Sequence, residues 1–452
     1  MTDKKKVVVV GAGLAGLSAS KKLIDAGFEV DLLESRRLIG GKVSAWKDGD
    51  GDWIESGLHV FFGSYRKIFD LMKEVGNYNY IDWLTPSIQY RKPGGENFRI
   101  VSDERLPCPL NLLPNFFFSH QFSIQDLLKY CRSILPILRN DRAYIDAQDE
   151  IDFQRWVKSF GMSEQMMQRM FLPMTLSLKF LPVSQISAQV VLNVFRLFIT
   201  DPKGFKIGFL NGSPAEKLTR PILDYLQERG LRLSLSQKVK SLALKEDRSI
   251  KAVLTEAGQS FAGDYFIFAL PCHKFRELLS PIYPDIPYFQ NLRHFEGVPV
   301  MNAQFWLNQQ LPTTKQLYFG TAGYTPVFAD MHKVCADYRT AHGGSLIETV
   351  VAPAAELQDL SDQEILDKTW EEIKSYFPTG EAISARKSTL VRIPQSVYAP
   401  YPKLEALRPT QKTPIRNLYL AGGFTKGHEF FDSMEGAVQS GLMAAGELIG
   451  KK

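Results

Sequence analysis

The first pattern in the chain is an unbroken β-branched run, Val7-Val8-Val9-Val10, as expected of a strand buried on both faces. It stops at Gly11. Helical spacing follows through Leu17, Lys21, Leu23 and Ile24 and closes at Gly27; a second apolar strand over 30–33 then ends on Glu34. Residues 215–230 read as an amphipathic helix, and 231–235 and 238–244 as strands. A hairpin over 250–255 turns at Glu256-Ala257-Gly258 and returns over 264–270, ending at Pro271. Strands are expected near 298–307 and 346–351, a helix over 362–377, and a strand over 417–422 ending in small residues. Asp432 and Ser433 are N-cap candidates for a last helix running through Ala445 and Leu448. Strands alternating with helices in this way predict an α/β fold.

The stretch from Leu106 to Phe209 differs in character. Residues 106–118 are apolar, aromatic and broken by prolines. A helix expected over 124–138 places Leu127, Leu128, Ile134, Leu135 and Leu138 beside Lys129, Arg132 and Arg139. Apolar and basic positions side by side suit a helix lying in a membrane interface. An inward-facing lid helix has the same pattern, and the sequence leaves both open.

Composition narrows the class. The 452 residues suggest two or three structural units, and 44% apolar content excludes a disordered chain. Fifty-four Lys and Arg against 49 Asp and Glu leave +5, too little for wholesale nucleic-acid binding. Cys108, Cys131, Cys272 and Cys335 form no C-x-x-C pair, so scattered reduced thiols are expected, with neither a disulfide framework nor a metal site. No signal or transit peptide pattern precedes Val7, and no run reaches the ~18 apolar residues of a membrane span. An intracellular protein that does not cross a bilayer is expected.

The break after Val10 carries the chemistry. Gly11-Ala12-Gly13-Leu14-Ala15-Gly16 is a G-x-G-x-x-G loop between strand and helix. Gly11 permits the turn, Gly13 admits close approach of a pyrophosphate, and Gly16 lets helix and strand pack. The helix start beyond Ala15 offers free N–H groups to phosphates, and Glu34 is placed to accept from a ribose. Ser35 and Arg36 follow at the same end. A further glycine pair and a cation, Gly40-Gly41-Lys42, favour the longer flavin dinucleotide over a nicotinamide one. A glycine-bracketed apolar run, Gly57-Leu58-His59-Val60-Phe61-Phe62-Gly63, comes next.

With GLAGL, GGKV, the segment Trp46 to Trp53 and GLHVFFG in place, the sequence resembles the plant-type and cyanobacterial-type carotene desaturases over essentially its whole length. The resemblance implies a Rossmann-like FAD-binding domain of the amine-oxidase and phytoene-desaturase superfamily, with an inserted mixed-sheet substrate domain and a helical membrane-facing lid. Residues 1–85, 206–272 and 405–452 correspond to the FAD domain, 86–205 to the lid and membrane-interface region, and 273–404 to the substrate domain. Cofactor contacts are implied for His59, Val60, Tyr65, Val239 over the adenine, Gly422, Gly423 and the backbone of Met434. Strand-core packing would explain Val239 equally well. Arg196 matches an arginine near the substrate and quinone site, and no catalytic acid or base is assigned. His273, His294, His332, His342 and His428 are isolated and read as surface or packing residues.

One departure stands out: family members of the phytoene type have Gly-Asp after the last strand, whereas this chain has Gly422-Gly423. The aspartate contact to the cofactor is expected to be absent, with backbone N–H groups in its place. The implied reaction is FAD-dependent desaturation of a C40 carotene on a membrane surface, with reoxidation by a quinone and homo-oligomers allowed. Residues 46–53 and 210–218 favour phytoene, while 411–414 and 432–434 look more like the ζ-carotene enzymes. A flavin amine oxidase and a non-enzymatic prenyl-lipid-binding protein of the same fold are the alternatives from other classes.

Overall fold

The computed structural model describes residues 4–85, 87–95, 97–101, 103, 105–106, 122–139, 141–201, 203–339, 343–378, 383–427 and 432–450. At its centre is a five-stranded parallel sheet. β1 (Lys6–Val10) pairs with β2 (Glu29–Leu33) on one side and with Tyr265–Phe268 on the other. Arg232–Ser234 and Leu418–Leu420 add the two edges. Val7, Val8 and Val9 are fully buried, which is what their β-branched run demanded. α1 (Leu14–Asp25) crosses from β1 to β2 and packs against the final helix, Met434–Ile449. Their contact is close because Gly441 faces Ala15 and Ser18, whose hydroxyl donates to the Val438 carbonyl at 3.2 Å. The hairpin starting over 250–255 forms beside Val239–Leu244, but its return strand is Ser260–Ala262. The expected return over 264–270 instead supplies Tyr265–Phe268 to the parallel sheet, where it pairs with β1 and Leu418–Leu420.

A second sheet has seven strands in the order Ala385–Ile393, Val300–Leu307, Leu346–Val351, Val327–Asp330, Leu317–Gly320, Ser87–Arg91 and Asn97–Val101. All neighbours are antiparallel except Leu317–Gly320 and Ser87–Arg91. The helix Asp362–Ser375 covers one face, started by a capping box between Ser361 and Glu364. Residues 87–101 depart from the expected helical unit over 86–205: they form the sheet's outer hairpin. The turn runs through Gly94 and Gly95, both with φ of 84°, and Tyr90 stacks on Phe98 at 4.4 Å and meets Phe319 at 5.3 Å. The aromatic pair across the strands stabilises an edge whose sequence looks polar.

The rest of that region is helical. Ile124–Leu138 forms as expected, with Ser123 as its cap, and packs on the buried helix Ala188–Thr200. Its Ile124, Leu128 and Leu135 stay exposed on one face, beside exposed Arg132 and Arg139. Among the described residues, no helix is long and apolar enough to cross a membrane. Cys131, Cys272 and Cys335 are free thiols. Cys108, the aromatic run 116–118, His342 and His428 lie outside the described residues.

Candidate cofactor site

The glycine loop closes onto its neighbours so tightly that most of its glycines are explained by packing. Gly11 has φ of 105°, and an added Cβ would sit 3.1 Å from the Ala269 carbonyl carbon. A Cβ on Gly16 would lie 3.0 Å from the carbonyl carbon of Gly11 and closer still to its oxygen. Gly13 is different. Its φ of −80° and ψ of 179° suit any residue, and a Cβ there would meet nothing nearer than Gly41 Cα at 3.6 Å. The protein itself therefore leaves room at Gly13, which points to a guest.

The second glycine pair belongs to the same structure. The Gly40 N–H donates to the Ala12 carbonyl at 2.9 Å, Gly13 bridges Gly40 in parallel, and a Cβ on Gly41 would come within 3.1 Å of Gly13 Cα. Glu34 is buried at the end of β2. It accepts from the Ala12 N–H at 3.0 Å with one oxygen, and from the Ser35 hydroxyl and the Arg36 N–H with the other. Arg36 in turn donates to the Gly41 carbonyl at 2.9 Å. The backbone beyond Glu34 leads to Val239: the Gln237 N–H donates to the Glu34 carbonyl at 2.8 Å. Val239, two residues beyond Gln237, is half-buried.

The segment 55–65 forms the opposite wall. The His59 ring faces the Lys42 carbonyl with Nε2 at 3.0 Å and the Glu55 carboxyl with Nδ1 at 3.2 Å. Val60 is half-buried beside it. Tyr65 is buried and bonds through its hydroxyl to Ser433, with burial pushing its ionisation well above the ordinary value. Ser433 also caps the final helix by accepting from the Gly436 N–H at 3.1 Å, so Met434 is its first residue. Glu435, fully buried, accepts from Lys67 and Ile68 N–H at 2.8 and 2.9 Å, locking the 65–68 turn to that helix. Gly422 has φ of 136°, and its N–H donates to Ser440 Oγ at 2.8 Å. The glycine loop, Glu34, Lys42, the His59 loop, Gly422 and Met434 thus converge, although they come from opposite ends of the chain.

Arg196 stands apart. It is 7% exposed on the helix Ala188–Thr200, which reaches this set through Phe198 against Phe62 at 5.1 Å.

Several ionisable groups at the site escaped the sequence reading. Lys179 is 1% exposed, and its Nζ donates to the Asp432 carbonyl at 2.8 Å. Burial outweighs the attraction of Asp432 and pushes this ammonium down to about 7. A lone lysine in the apolar run Leu176-Ser177-Leu178-Lys179-Phe180 was the available signal. Behind the His59 loop, Glu55 also receives the Tyr338 hydroxyl, and Asn302 donates to Glu348 at 2.9 Å and to the Glu55 carbonyl at 3.1 Å. Burial, then the charge of Glu55, pushes Glu348 well above the ordinary carboxyl range. Its partners lie 46 residues away or more, so no local pattern reveals it. The carboxylates of Asp48, Asp50 and Asp52 also converge, but Lys387 Nζ reaches Asp50 at 2.8 Å and Asp52 at 2.7 Å, pinning this turn to the large sheet.

These groups fit FAD: an open backbone approach at Gly13, the N-terminus of α1, a buried carboxylate at Glu34, and a second helix N-terminus at Met434. Comparison with known proteins agrees. The pattern of the flavin containing amine oxidoreductases matches residues 14–449. A 15-cis-phytoene desaturase from Solanum lycopersicum is 37% identical over 459 residues, covering 99% of this chain and 78% of that one. A probable zeta-carotene desaturase from Synechococcus elongatus is 33% identical over 478 residues, covering 98% of each. An oxidoreductase from Methanosarcina mazei of known structure shares the fold, with a TM-score of 0.76 at 17% identity over 98% of this chain and all of that one. The chain therefore belongs to the flavin-containing amine oxidoreductases and, within them, to the family of the phytoene and ζ-carotene desaturases.

Proposed function

We propose that the protein desaturates a C40 carotene, with 15-cis-phytoene the substrate and ζ-carotene-series carotenes the product. The observation that carries this reading is the likeness to a phytoene desaturase at 37% identity over 99% of this chain, supported by the room left at Gly13 beside the second glycine pair. When bound, FAD supplies the acceptor for the hydride taken from the substrate. The chain's own residues bind and orient it. Gly13 and the start of α1 receive the pyrophosphate, Glu34 accepts from the ribose, and Lys42 adds a cation. The N-terminus of the final helix presents its positive end at Met434, which favours negative charge on the group lying against it.

In this reading the large mixed sheet, which includes 87–101, faces the substrate, and the helices over 122–205 form a lid resting on a membrane. Exposed Ile124, Leu128 and Leu135 next to Arg132 and Arg139 support that attachment. Arg196, which matches an arginine near the substrate and quinone site of the resembled desaturases, serves the acceptor side of the reaction, where its guanidinium can donate to a quinone carbonyl.

The test is conversion of phytoene dispersed in liposomes, with a benzoquinone present, followed by chromatographic separation of the carotenes. New products with added double bonds support the reading. Peroxide production from small amines, with carotenes untouched, overturns it in favour of an amine oxidase.

A further inference from the structure

Gly422 and Gly423 form the turn after the last strand of the parallel sheet, and they are glycines for different reasons. Gly422 has φ of 136°, where a side chain is strained. Gly423 has no positive φ; its backbone accepts any residue. What excludes a side chain there is Asp432. A Cβ on Gly423 would lie 2.8 Å from Asp432 Cγ, 2.9 Å from its Cα, and nearer still to the carboxylate oxygen Oδ1. The carboxylate that the sequence lacks at position 423 stands over that position, delivered from the other end of the loop.

Asp432 is held there from several sides. It is 6% exposed; Oδ2 accepts from Lys42 Nζ at 3.1 Å and from the Tyr398 N–H at 3.2 Å. The turn beneath it cannot slide away. Arg408 donates to the carbonyls of Gly423 at 2.9 Å, Phe424 at 3.0 Å and Thr425 at 2.6 Å, and is anchored by Glu405 at 2.9 Å. Burial alone would favour the protonated acid, yet Lys42 and Lys179 together keep Asp432 below its ordinary value. The Lys42–Asp432 pair also ties the second glycine pair to the start of the final helix. Lys42 follows Gly41, which rests on Gly13, while Asp432 directly precedes Ser433, the cap of the final helix.

We infer that Asp432 is a cofactor-binding residue of this protein. Its carboxylate takes the place over Gly423 and, paired with Lys42, closes a clasp over the ribityl–pyrophosphate part of FAD. Glycine at 423 and aspartate at 432 are one solution to a single requirement, a carboxylate at that point.

The experiment exchanges the two positions. Wild type, Gly423→Asp, Asp432→Ala and the double variant are purified, and the apoproteins are titrated with FAD while Tm is measured for each. Asp432→Ala weakens FAD binding by at least about tenfold. Gly423→Asp alone lowers Tm and flavin occupancy, because two carboxylates compete for one space. The double variant recovers more of both than the two single changes together allow, while the Asp432 Cα, 2.9 Å from the new Cβ, keeps it short of wild type. Asp432→Asn, which keeps the shape without the charge, covers the case in which Asp432→Ala does not fold; it too weakens FAD binding about tenfold while Tm is retained. An FAD Kd unchanged in Asp432→Ala or Asp432→Asn overturns the inference. A double variant no better than the sum of its single changes overturns it as well.

Discussion

Gly13 and Gly16 separate binding from folding within one loop. A methyl group at Gly13 meets Gly41 Cα at 3.6 Å, an ordinary contact, and the backbone there is extended. The protein loses little: exchanging an N-cap glycine for alanine costs about 1 kcal/mol or less, which moves Tm by about 3 °C or less in a chain this large. A methyl group at Gly16 must instead displace the Gly11 carbonyl, whose carbon would be only 3.0 Å away and whose oxygen is closer. Overpacking a rigid strand–helix junction costs about 1–3 kcal/mol or more. Gly13→Ala is therefore expected to keep a near-wild-type apoprotein Tm while FAD affinity falls at least about a hundredfold, equivalent to about 2.8 kcal/mol; Gly13→Val falls further. Gly16→Ala loses both stability and flavin. The assay is flavin occupancy of the purified protein, FAD titration of the apoprotein and thermal melting. Full flavin occupancy in Gly13→Ala, or a Tm loss there as large as in Gly16→Ala, refutes the assignment of Gly13 to cofactor approach.

Three further outcomes are expected. Lys179 titrates near 7 in the folded protein against 10.5 ordinarily, so the unfolded chain binds more protons between those values and wild-type stability rises with pH across that window. Lys179→Met should be more stable than wild type below about pH 7, by a few kcal/mol, with the advantage shrinking toward pH 10.5; an advantage independent of pH contradicts the buried-charge account. Arg196→Ala should slow flavin reoxidation by quinone more than flavin reduction by carotene in stopped-flow half-reactions, and equal slowing removes it from the acceptor side. Ile124→Asp with Leu128→Asp should reduce co-sedimentation with anionic liposomes at unchanged flavin content, since both side chains are exposed; unchanged sedimentation places the membrane contact elsewhere.

The cradle was legible where its parts are local. The strand, glycine loop, helix and acid of residues 7–34 fall in order along the chain, and their packing follows from that order. Val239 and Met434 were placed through resemblance, and the structure adds the contacts beside them. The outer hairpin 87–101 was missed because its stability comes from Tyr90 stacking across to Phe98 and onto Phe319, more than 200 positions away. The sequence offers Asp432 only as a cap candidate. Ser433 takes that role, and the excluded volume over Gly423 that gives Asp432 its significance exists only in three dimensions. The buried pair Glu55 and Glu348 was hidden for the same reason.

The central claim is that this chain removes hydride from a carotene onto a flavin held by the cradle described above. The most direct measurement follows the flavin band at about 450 nm under anaerobic conditions, with no quinone, after mixing the FAD-loaded protein with phytoene liposomes. Bleaching of the band with a matching amount of desaturated carotene is the expected result, and colour returns on adding a benzoquinone. A flavin that stays oxidised in the presence of phytoene and ζ-carotene, while a small amine bleaches it, contradicts the account.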